Sequence, residues 1–232
     1  MPKLNDNDNQ KLFNSLANDW WDKDGPMKTL HDLNPVRLKY LEKKVELKNA
    51  IVADIGCGGG ILSESLAKAG ASVVGIDTST ELVQIARHHA ALENLEIRYE
   101  SNSVSDLARK ESGKYDVVLC MELVEHVDDI YELLSGCAKL LKSEGILFIS
   151  TLNRSLWSYL FGVLAAEDLL KIVPKGTHDY NKFIKPSELS ACCRAVGFIG
   201  LDMRGLSYNP FTRKARLSKF PLINYICSFS AV

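Results

Sequence analysis

A glycine-rich turn early in the chain constrains its fold more than any other feature. Residues 51–55 form a short apolar run that contains Asp54, and residues 56–60 then include four glycines. Glycine lets the backbone turn sharply and approach a bound ligand closely. A buried strand, a glycine turn and a helix in this order predict a parallel α/β sheet that binds a ligand at the carboxyl ends of its strands.

The rest of the chain alternates between apolar runs and amphipathic segments. Strands are predicted over residues 51–55, 72–76, 95–100, 115–120, 145–151, 198–205 and 223–230. Helices are predicted over residues 10–22, 35–45, 61–69, 79–93, 129–141 and 186–196, with Pro35 at the first position of its helix. This alternation predicts an α/β fold with a Rossmann-like, mostly parallel sheet of seven strands.

The predicted elements fit a single domain that covers residues 1–232. Residues 1–48 would form an N-terminal helical cap, whereas residues 154–182 are too long for a simple crossover and predict an inserted helical lid. The net charge of −1 gives no global attraction to nucleic acid. Six cysteines without a CxxC pair, and a polar start without an apolar signal region, predict a cytosolic protein with reduced thiols.

Two acids belong to the predicted ligand edge. Asp54 lies in the first predicted strand and Asp77 follows the second, so both come to the carboxyl edge of the sheet. A carboxylate at position 77 can accept hydrogen bonds from both hydroxyls of a ribose, next to a backbone that Gly56 and Gly58 leave open. Asp54 can order the turn or hold an ammonium group. The simpler alternative is that the glycines only form a tight turn and Asp77 caps the next helix.

A dinucleotide is the main alternative ligand. Its GxGxxG fingerprint needs a third glycine at position 61, where this chain has Ile61. The consecutive glycines at 58–60, after an acid at position 54, favour the methyl donor S-adenosylmethionine, which has no pyrophosphate. The sequence therefore favours a methyl donor over a nicotinamide cofactor.

The segment 120–126 ends the fourth predicted strand at the same edge. Met121 is placed to pack on a purine ring, although methionine also serves as core filler. In a helix, Glu122 would share a face with Glu125 and with His126, and such a set can hold a divalent ion such as Mg²⁺. The alternative is a pair of carboxylates at a helix start beside a solvated histidine.

With these residues placed, the chain resembles the ubiquinone biosynthesis O-methyltransferases over nearly its whole length. The similar segments are residues 20–22, 30–37, 54–60, 120–126, 150–154, 173–179, 182–186 and 208–210. The glycine turn marks only the wider class I methyltransferase superfamily. The segments around Trp20-Trp21-Asp22, Asn34-Pro35, 150–154 and 173–179 are far more specific to this family.

The resemblance implies two O-methylations of quinone precursors, one on a polyprenyl catechol and one on 3-demethylubiquinol. It implies that S-adenosylmethionine is contacted by Arg37 of the N-terminal cap, Gly56 of the glycine turn, and Asp77 and Met121 at the ends of two strands. It likewise implies Mg²⁺ bound by the three residues Glu122, Glu125 and His126. Some members have a histidine where Ser207 stands, which argues against an essential base at this position.

Methylation of a phenol requires the loss of its proton. A phenol with a pKa of about 10 is mostly neutral at neutral pH, so a general base or a metal must help. His126 is one candidate base, and His178, beside Asp179, is another. His31 is a weaker candidate, whereas residues 88 and 89 are histidines of a predicted surface helix and are not expected to act.

A polyprenyl substrate resides in a lipid bilayer. Residues 156–173 are apolar enough for an interfacial helix but too short and too charged to span, so membrane contact is expected there. A lid helix buried against the body is the alternative. We accordingly expect a peripheral protein at the inner face of the cell membrane, with other ubiquinone-biosynthesis proteins as candidate partners and without nucleic acid. Other function classes that stay open are a methyltransferase for another catechol, a non-catalytic donor-binding module and an NAD-dependent dehydrogenase.

Overall fold

The computed structural model describes residues 17–155, residue 158 and residues 180–231. The strands are β1 (Ile51–Ile55), β2 (Ser72–Asp77), β3 (Arg98–Ser101), β4 (Tyr115–Met121), β5 (Leu141–Leu152), β6 (Phe198–Asn209), β7 (Lys214–Ser218) and β8 (Asn224–Ala231). The helices are α1 (Lys28–Glu42), α2 (Ile61–Lys68), α3 (Thr80–Leu92), α4 (Val104–Lys110), α5 (Ile130–Leu140) and α6 (Pro186–Ala195). Short 3-10 turns lie at Ala17–Asp19 and Tyr180–Lys182.

The described strands form one sheet in the order β3-β2-β1-β4-β5-β8-β6-β7. The first five strands in that order run parallel, whereas β8 is antiparallel to both of its neighbours and β7 is antiparallel to β6. Ile55 of β1 is paired with Ile76 on one side and with Cys120 on the other. The residues that follow these three strands therefore gather at one edge of the sheet.

Central strand β4 is buried on both faces. Val118 and Cys120 face one apolar cluster, whereas Val117 and Leu119 face another that includes Tyr40. Two-sided burial explains why the central strands have nearly continuous apolar sequences rather than alternating ones. The predicted α/β, mostly parallel fold is confirmed.

The sheet has eight strands in the described part of the chain, not the predicted seven. The additional strand is β7, which is short and alternates charged with apolar residues at the sheet edge. Helix α4 was also not predicted. It has only seven residues and is capped by Ser103, whose side chain accepts a hydrogen bond from the backbone N–H of Asp106.

Helix α1 begins at Lys28, so the prediction of a helix start at Pro35 is wrong. Pro35 lies inside the helix and is exposed. The helix continues through it because one stripe of α1, which includes Leu33, Tyr40 and Leu41, is buried, and Tyr40 and Leu41 pack on the sheet. Tertiary packing of that stripe outweighs the hydrogen bond that proline cannot donate.

The predicted N-terminal cap and lid are only partly within the described residues. From residue 17 onward the cap contains the Ala17–Asp19 turn and α1, while most of residues 154–182 lies outside the described residues. None of the helices in the described part of the chain is long and apolar enough to cross a bilayer.

Candidate active site

A cavity of about 630 Å³ opens at the carboxyl edge of the parallel strands. The glycine turn, the end of β2, the segment after β4 and one face of α1 line it. It brings together most of the predicted site residues, which are Arg37, Asp54, Gly56, Gly58, Asp77, Met121, Glu122 and His126. Glu125 lies behind the lining, and His178 lies outside the described residues.

Asp77 ties the glycine turn to the start of α3. Its Oδ2 accepts a hydrogen bond from the backbone N–H of Gly58 at 3.0 Å, and its Oδ1 accepts one from Ser79 at 2.9 Å. Burial raises the pKa of Asp77, while these backbone bonds oppose the rise. Ser79, not Asp77, fills the N-cap of α3 by accepting a bond from Leu82. Because each carboxylate oxygen has a second acceptor position, both remain able to accept bonds from a ligand.

The glycine turn needs glycine for two reasons. Gly56, Gly58 and Gly60 have φ values of 71°, 54° and 90°, in the left-handed region that other residues rarely adopt. A Cβ on Gly58 would lie 2.5 Å from the Trp20 ring, and one on Gly59 would lie 2.3 Å from it. The indole of Trp20 therefore packs directly on the turn that shapes the cavity.

Trp21 fastens the same turn from the other side. Its indole N–H donates to the carbonyl of Gly59 at 3.0 Å, and its ring stacks on His89 with centroids 3.4 Å apart. His89 Nδ1 in turn lies 2.7 Å from a carboxylate oxygen of Glu64, which is buried. His89 was not expected to act as the base, and its contacts here are structural, since it supports the glycine turn through Trp21. The only sequence signal for this clamp was the family segment at Trp20-Trp21-Asp22.

Asp54 is a buried carboxylate beneath the cavity. It is 3% exposed, and its Oδ2 accepts a hydrogen bond from the Ser63 hydroxyl at 2.5 Å. Burial raises the pKa of Asp54 to about 6, and the nearby charge of Asp77 adds to the rise. A positive charge placed in the cavity would favour the ionised form of this side chain.

Arg37 and Glu122 form an ion pair across the cavity floor. Arg37, from α1, donates through Nη2 to Glu122 Oε1, which also accepts from Ser150 Oγ at 2.7 Å and from Asn224 Nδ2 at 3.2 Å. Arg37 is 4% exposed, and its Nε has no hydrogen-bond partner among the described residues. Arg37 thus has a buried donor left over on a guanidinium that lines the cavity.

The segment from 122 to 126 is a turn, so the helical faces on which the predicted metal site depended do not form. Glu122 has a φ of 52°, and His126 donates its backbone N–H to the carbonyl of Leu123 at 2.9 Å. The two carboxylates consequently point to different partners. In the described residues, no group of three His, Cys, Asp or Glu side chains is arranged to hold a metal ion.

Glu125 lies beneath the turn rather than in the cavity. It is 3% exposed, and its Oε2 accepts a hydrogen bond from the Thr151 hydroxyl at 2.7 Å. Burial, and then the charge of Glu122, raise the pKa of Glu125 to about 8, so its carboxyl is mostly protonated at neutral pH. Because Glu125 does not line the cavity in this arrangement, Glu122, Glu125 and His126 could hold one Mg²⁺ ion together only if the turn rearranged.

The remaining predicted residues have mixed environments. His126 lines the cavity. His31 Nε2 lies 3.0 Å from the carbonyl of Trp20, which gives it a structural partner instead. Met121 both lines the cavity and packs against the core, so its two proposed roles are compatible. Ser207 is paired with Arg216 in the outer hairpin, away from the cavity lining.

Comparison with known proteins gives consistent relatives. The methyltransferase-domain family model matches residues 53–149. The ubiquinone biosynthesis O-methyltransferase of Xanthomonas euvesicatoria pv. vesicatoria is 48% identical over 92% of this chain and 90% of that protein. The protein of the same name from Coxiella burnetii is 44% identical over 94% of this chain and 93% of that protein.

Solved structures share the fold at low identity. Magnesium protoporphyrin IX methyltransferase from Synechocystis, crystallised with bound SAH, superimposes with a TM-score of 0.71 at 21% identity, over 98% of this chain and 99% of that one. A Thermotoga maritima SAM-dependent methyltransferase superimposes with a TM-score of 0.69 at 14% identity, over 97% of this chain and 100% of that one. These likenesses concern the fold alone.

Proposed function

Because the chain belongs to the family of ubiquinone biosynthesis O-methyltransferases, we propose that its cavity joins S-adenosylmethionine to a phenolic hydroxyl of a polyprenyl catechol. It is an S-adenosylmethionine-dependent O-methyltransferase of ubiquinone biosynthesis. The proposal extends to both methylation steps, on an early polyprenyl catechol and on 3-demethylubiquinol. The observation that carries it is the position of Asp77, Gly58 and Arg37 around one cavity.

The proposed donor pose follows from the chemistry of these groups. The ribose hydroxyls donate to Asp77, whose oxygens already orient the glycine turn. The carboxylate of the methionine part accepts from Arg37 Nε, the buried donor without another described partner. A cavity of about 630 Å³ lies within the range that holds a small-molecule ligand, and it leaves room for a catechol ring near His126.

The reaction itself is an in-line displacement. The phenolate oxygen forms a bond to the methyl carbon as the carbon–sulfur bond breaks, and S-adenosylhomocysteine leaves. Since the donor arrives activated, the protein mainly supplies alignment and proton removal. We propose that His126, which lines the cavity, accepts the phenolic proton, while His178 stays a prediction outside the described residues.

The remaining parts of the proposal concern the polyprenyl tail of the substrate. Membrane contact through residues 156–173 rests on their sequence pattern, because nearly all of them lie outside the described residues. A position at the inner face of the cell membrane, and contact with other proteins of the pathway, are proposed with it. A different catechol as the acceptor is the second candidate, since the argument for a polyprenyl tail comes from the family and not from the described lining of the cavity.

The decisive test of the function is a methylation assay on a short-tailed catechol. We expect S-adenosylhomocysteine to form only when the catechol is present, and NAD to leave the thermal stability unchanged where S-adenosylmethionine raises it. Donor binding without product on any catechol would contradict catalysis and favour a donor-binding module.

A chelator arm of the same assay addresses the metal. Donor affinity should not change with chelator, because none of the contacts proposed to hold the donor is made through a metal. Turnover that is lost with chelator and restored by magnesium would mean that the 122–126 turn rearranges around a bound catechol. Turnover that persists would assign Glu122 and Glu125 to structural roles.

Asp54 predicts a specific dependence on pH. Its pKa is raised from 3.8 to about 6, so the stability that neutral Asp54 contributes is fully present below about 3.8 and is lost as pH rises through about 6. The variant Asp54→Asn should lack this loss, and its melting temperature should gain on the parent between pH 4 and 7. Calorimetry without donor would measure it, with Asp106→Asn, a half-exposed acid whose pKa is lowered, as control. A parallel pH profile for parent and Asp54→Asn would contradict the assignment.

A further inference from the structure

The side-chain amide of Asn224 has one end fixed and the other end unpaired. Its Nδ2 donates to both carboxylate oxygens of Glu122, each at 3.2 Å. Glu122 is ion-paired with Arg37, and an ionised carboxylate only accepts hydrogen bonds, so the amide nitrogen must face it. The carbonyl oxygen Oδ1 then points elsewhere, where it is buried without a hydrogen-bond partner in the described part of the chain. Because buried amide oxygens are usually paired, this one indicates a ligand that donates to it.

Asn224 lies at the end of the cavity opposite to Asp77. The sheet order across the cavity is β2-β1-β4-β5-β8, and Asp77 ends β2 whereas Asn224 begins β8. Neighbouring strands lie about 4.8 Å apart, so about 19 Å separates β2 from β8. Leu152 of β5, which is paired with Asn224, also lines the cavity. The cavity therefore has one end at β2 and another at β5 and β8.

The proposed donor pose occupies the end at β2. Its ribose would lie on Asp77, and its methionine carboxylate would lie on Arg37, whose ion-pair partner Glu122 directly follows β4. The transferred methyl group would then come near the end of β4. What remains for the methyl acceptor is the end of the cavity that Leu152 and Asn224 line. This step rests on the proposed function, since the donor pose belongs to it.

A second amide oxygen in the cavity belongs to the donor end. Oδ1 of Asn34, a lining residue, is also buried without a partner among the described residues. The Nδ2 of Asn34, however, donates to the carbonyl of Ile61 at 3.3 Å and to Ser65 Oγ at 2.8 Å. Ile61 directly follows the glycine turn. The two unpaired amide oxygens thus lie toward different ends of the cavity, and the one on Asn224 faces the acceptor.

We propose that Asn224 determines specificity for a catechol by accepting a hydrogen bond from the hydroxyl that is not methylated. A catechol differs from a simple phenol only by this neighbouring hydroxyl, which can donate to a carbonyl oxygen. Both proposed acceptors share the feature, since 3-demethylubiquinol also has a hydroxyl beside the one that is methylated. One amide oxygen therefore serves both methylation steps.

The same hydrogen bond fixes which oxygen of the catechol reacts. With one hydroxyl held at Asn224 on β8, the neighbouring hydroxyl turns toward β4, where the donor methyl group lies in the proposed pose. Alignment of the reacting atoms is the main contribution that a protein makes to transfer from an activated donor. Glu122 keeps the amide from flipping, because its carboxylate holds Nδ2. Asn224 thus contacts the substrate, and Glu122 positions Asn224.

The test combines one change in the enzyme with one change in the substrate. The variant is Asn224→Ala, and the substrates are a soluble, short-tailed catechol and the phenol that lacks its second hydroxyl. Loss of a neutral hydrogen bond should lower the ratio of kcat/KM for the catechol to kcat/KM for the phenol about 3- to 10-fold. A loss that comes from a weaker fold or from Glu122 affects both substrates alike and leaves this ratio unchanged. An unchanged ratio in Asn224→Ala therefore overturns the proposal.

Two further variants address the other bonds of the amide and its folding. Ser150→Ala removes another donor to Glu122, at 2.7 Å, from a buried residue outside the cavity lining, so its ratio should match that of the parent. Asn224→Ser has a polar but shorter side chain, and it gives the same comparison if Asn224→Ala fails to fold. Donor affinity, measured by calorimetry, should be the same in Asn224→Ala as in the parent. A large loss of donor affinity would place Asn224 at the donor end and overturn its role toward the acceptor.

A chelator and a binding measurement separate this inference from the proposed function. The preference of the parent for the catechol should persist with chelator. Its disappearance would mean that a metal recognises the second hydroxyl, and the role of Asn224 would be overturned. Absence of turnover on both substrates would defeat the proposed function instead. Calorimetric binding of the two substrates to the complex with S-adenosylhomocysteine, in chelator, then still decides the inference, because the preference must shrink in Asn224→Ala.

Discussion

The variant Asp77→Ala should bind S-adenosylmethionine about 10- to 100-fold more weakly than the parent, as expected for losing hydrogen bonds to a charged group. The carboxylate has two tasks in the proposed site. It holds the backbone of Gly58 and Ser79, and it presents acceptors to the ribose. Its removal therefore takes away a ligand contact and also loosens the turn that shapes the cavity. Titration calorimetry would measure the change directly.

Two further variants serve as an intermediate and a control for this affinity measurement. Asp77→Asn keeps one acceptor oxygen and the side-chain shape, so its affinity should lie between those of the parent and Asp77→Ala. Glu100→Ala changes an acid on the neighbouring strand β3 that does not line the cavity, and it should bind like the parent. Parent-like affinity in Asp77→Ala would mean that the donor binds elsewhere, and the residue roles proposed for the cavity would fail with it.

The parts of the fold that the sequence predicts well are those that local burial determines. Strands β1, β2 and β4 were placed to within one residue, because burial on both faces selects a nearly continuous apolar run that ends at Gly56, Asp77 and Glu122. The spacing from the glycine turn to Asp77 then follows from one helix and one strand of ordinary length. The family segments added the substrate class, which no spacing could supply.

The parts that could not be predicted depend on contacts between distant segments. The stack of Trp21 on His89 joins residues 68 positions apart, and nothing near either residue in the sequence signals the other. The ligand faces expected for Glu122, Glu125 and His126 required a helix, but the backbone at Glu122 is left-handed and the segment turns. Side-chain periodicity predicts faces only after the backbone type is known.

The ion pair between Arg37 and Glu122 predicts the largest change in stability. Their side chains are 5% and 19% exposed, so removing one partner leaves the other charge largely desolvated. The variant Arg37→Ala should lower the free energy of unfolding by about 3 kcal/mol, the lower end for breaking a buried pair. Donor affinity should fall as well, because the proposed contact to the donor carboxylate is lost. Denaturant titration measures the first effect, with Lys39→Ala, an exposed cation on the same helix, as control.

The double variant Arg37→Met with Glu122→Gln tests the cause of that loss. Because it removes both charges and keeps most of the volume, it should recover much of the stability lost in Arg37→Ala. Recovery would mean that the unpaired carboxylate, not lost packing, is what destabilises the single variant. If Arg37→Ala were as stable as the parent, the ion pair would contribute no measurable stability and the prediction would be wrong. Glu122 would then be tolerated in the fold without Arg37. Such a carboxylate could serve as a ligand of the predicted magnesium site.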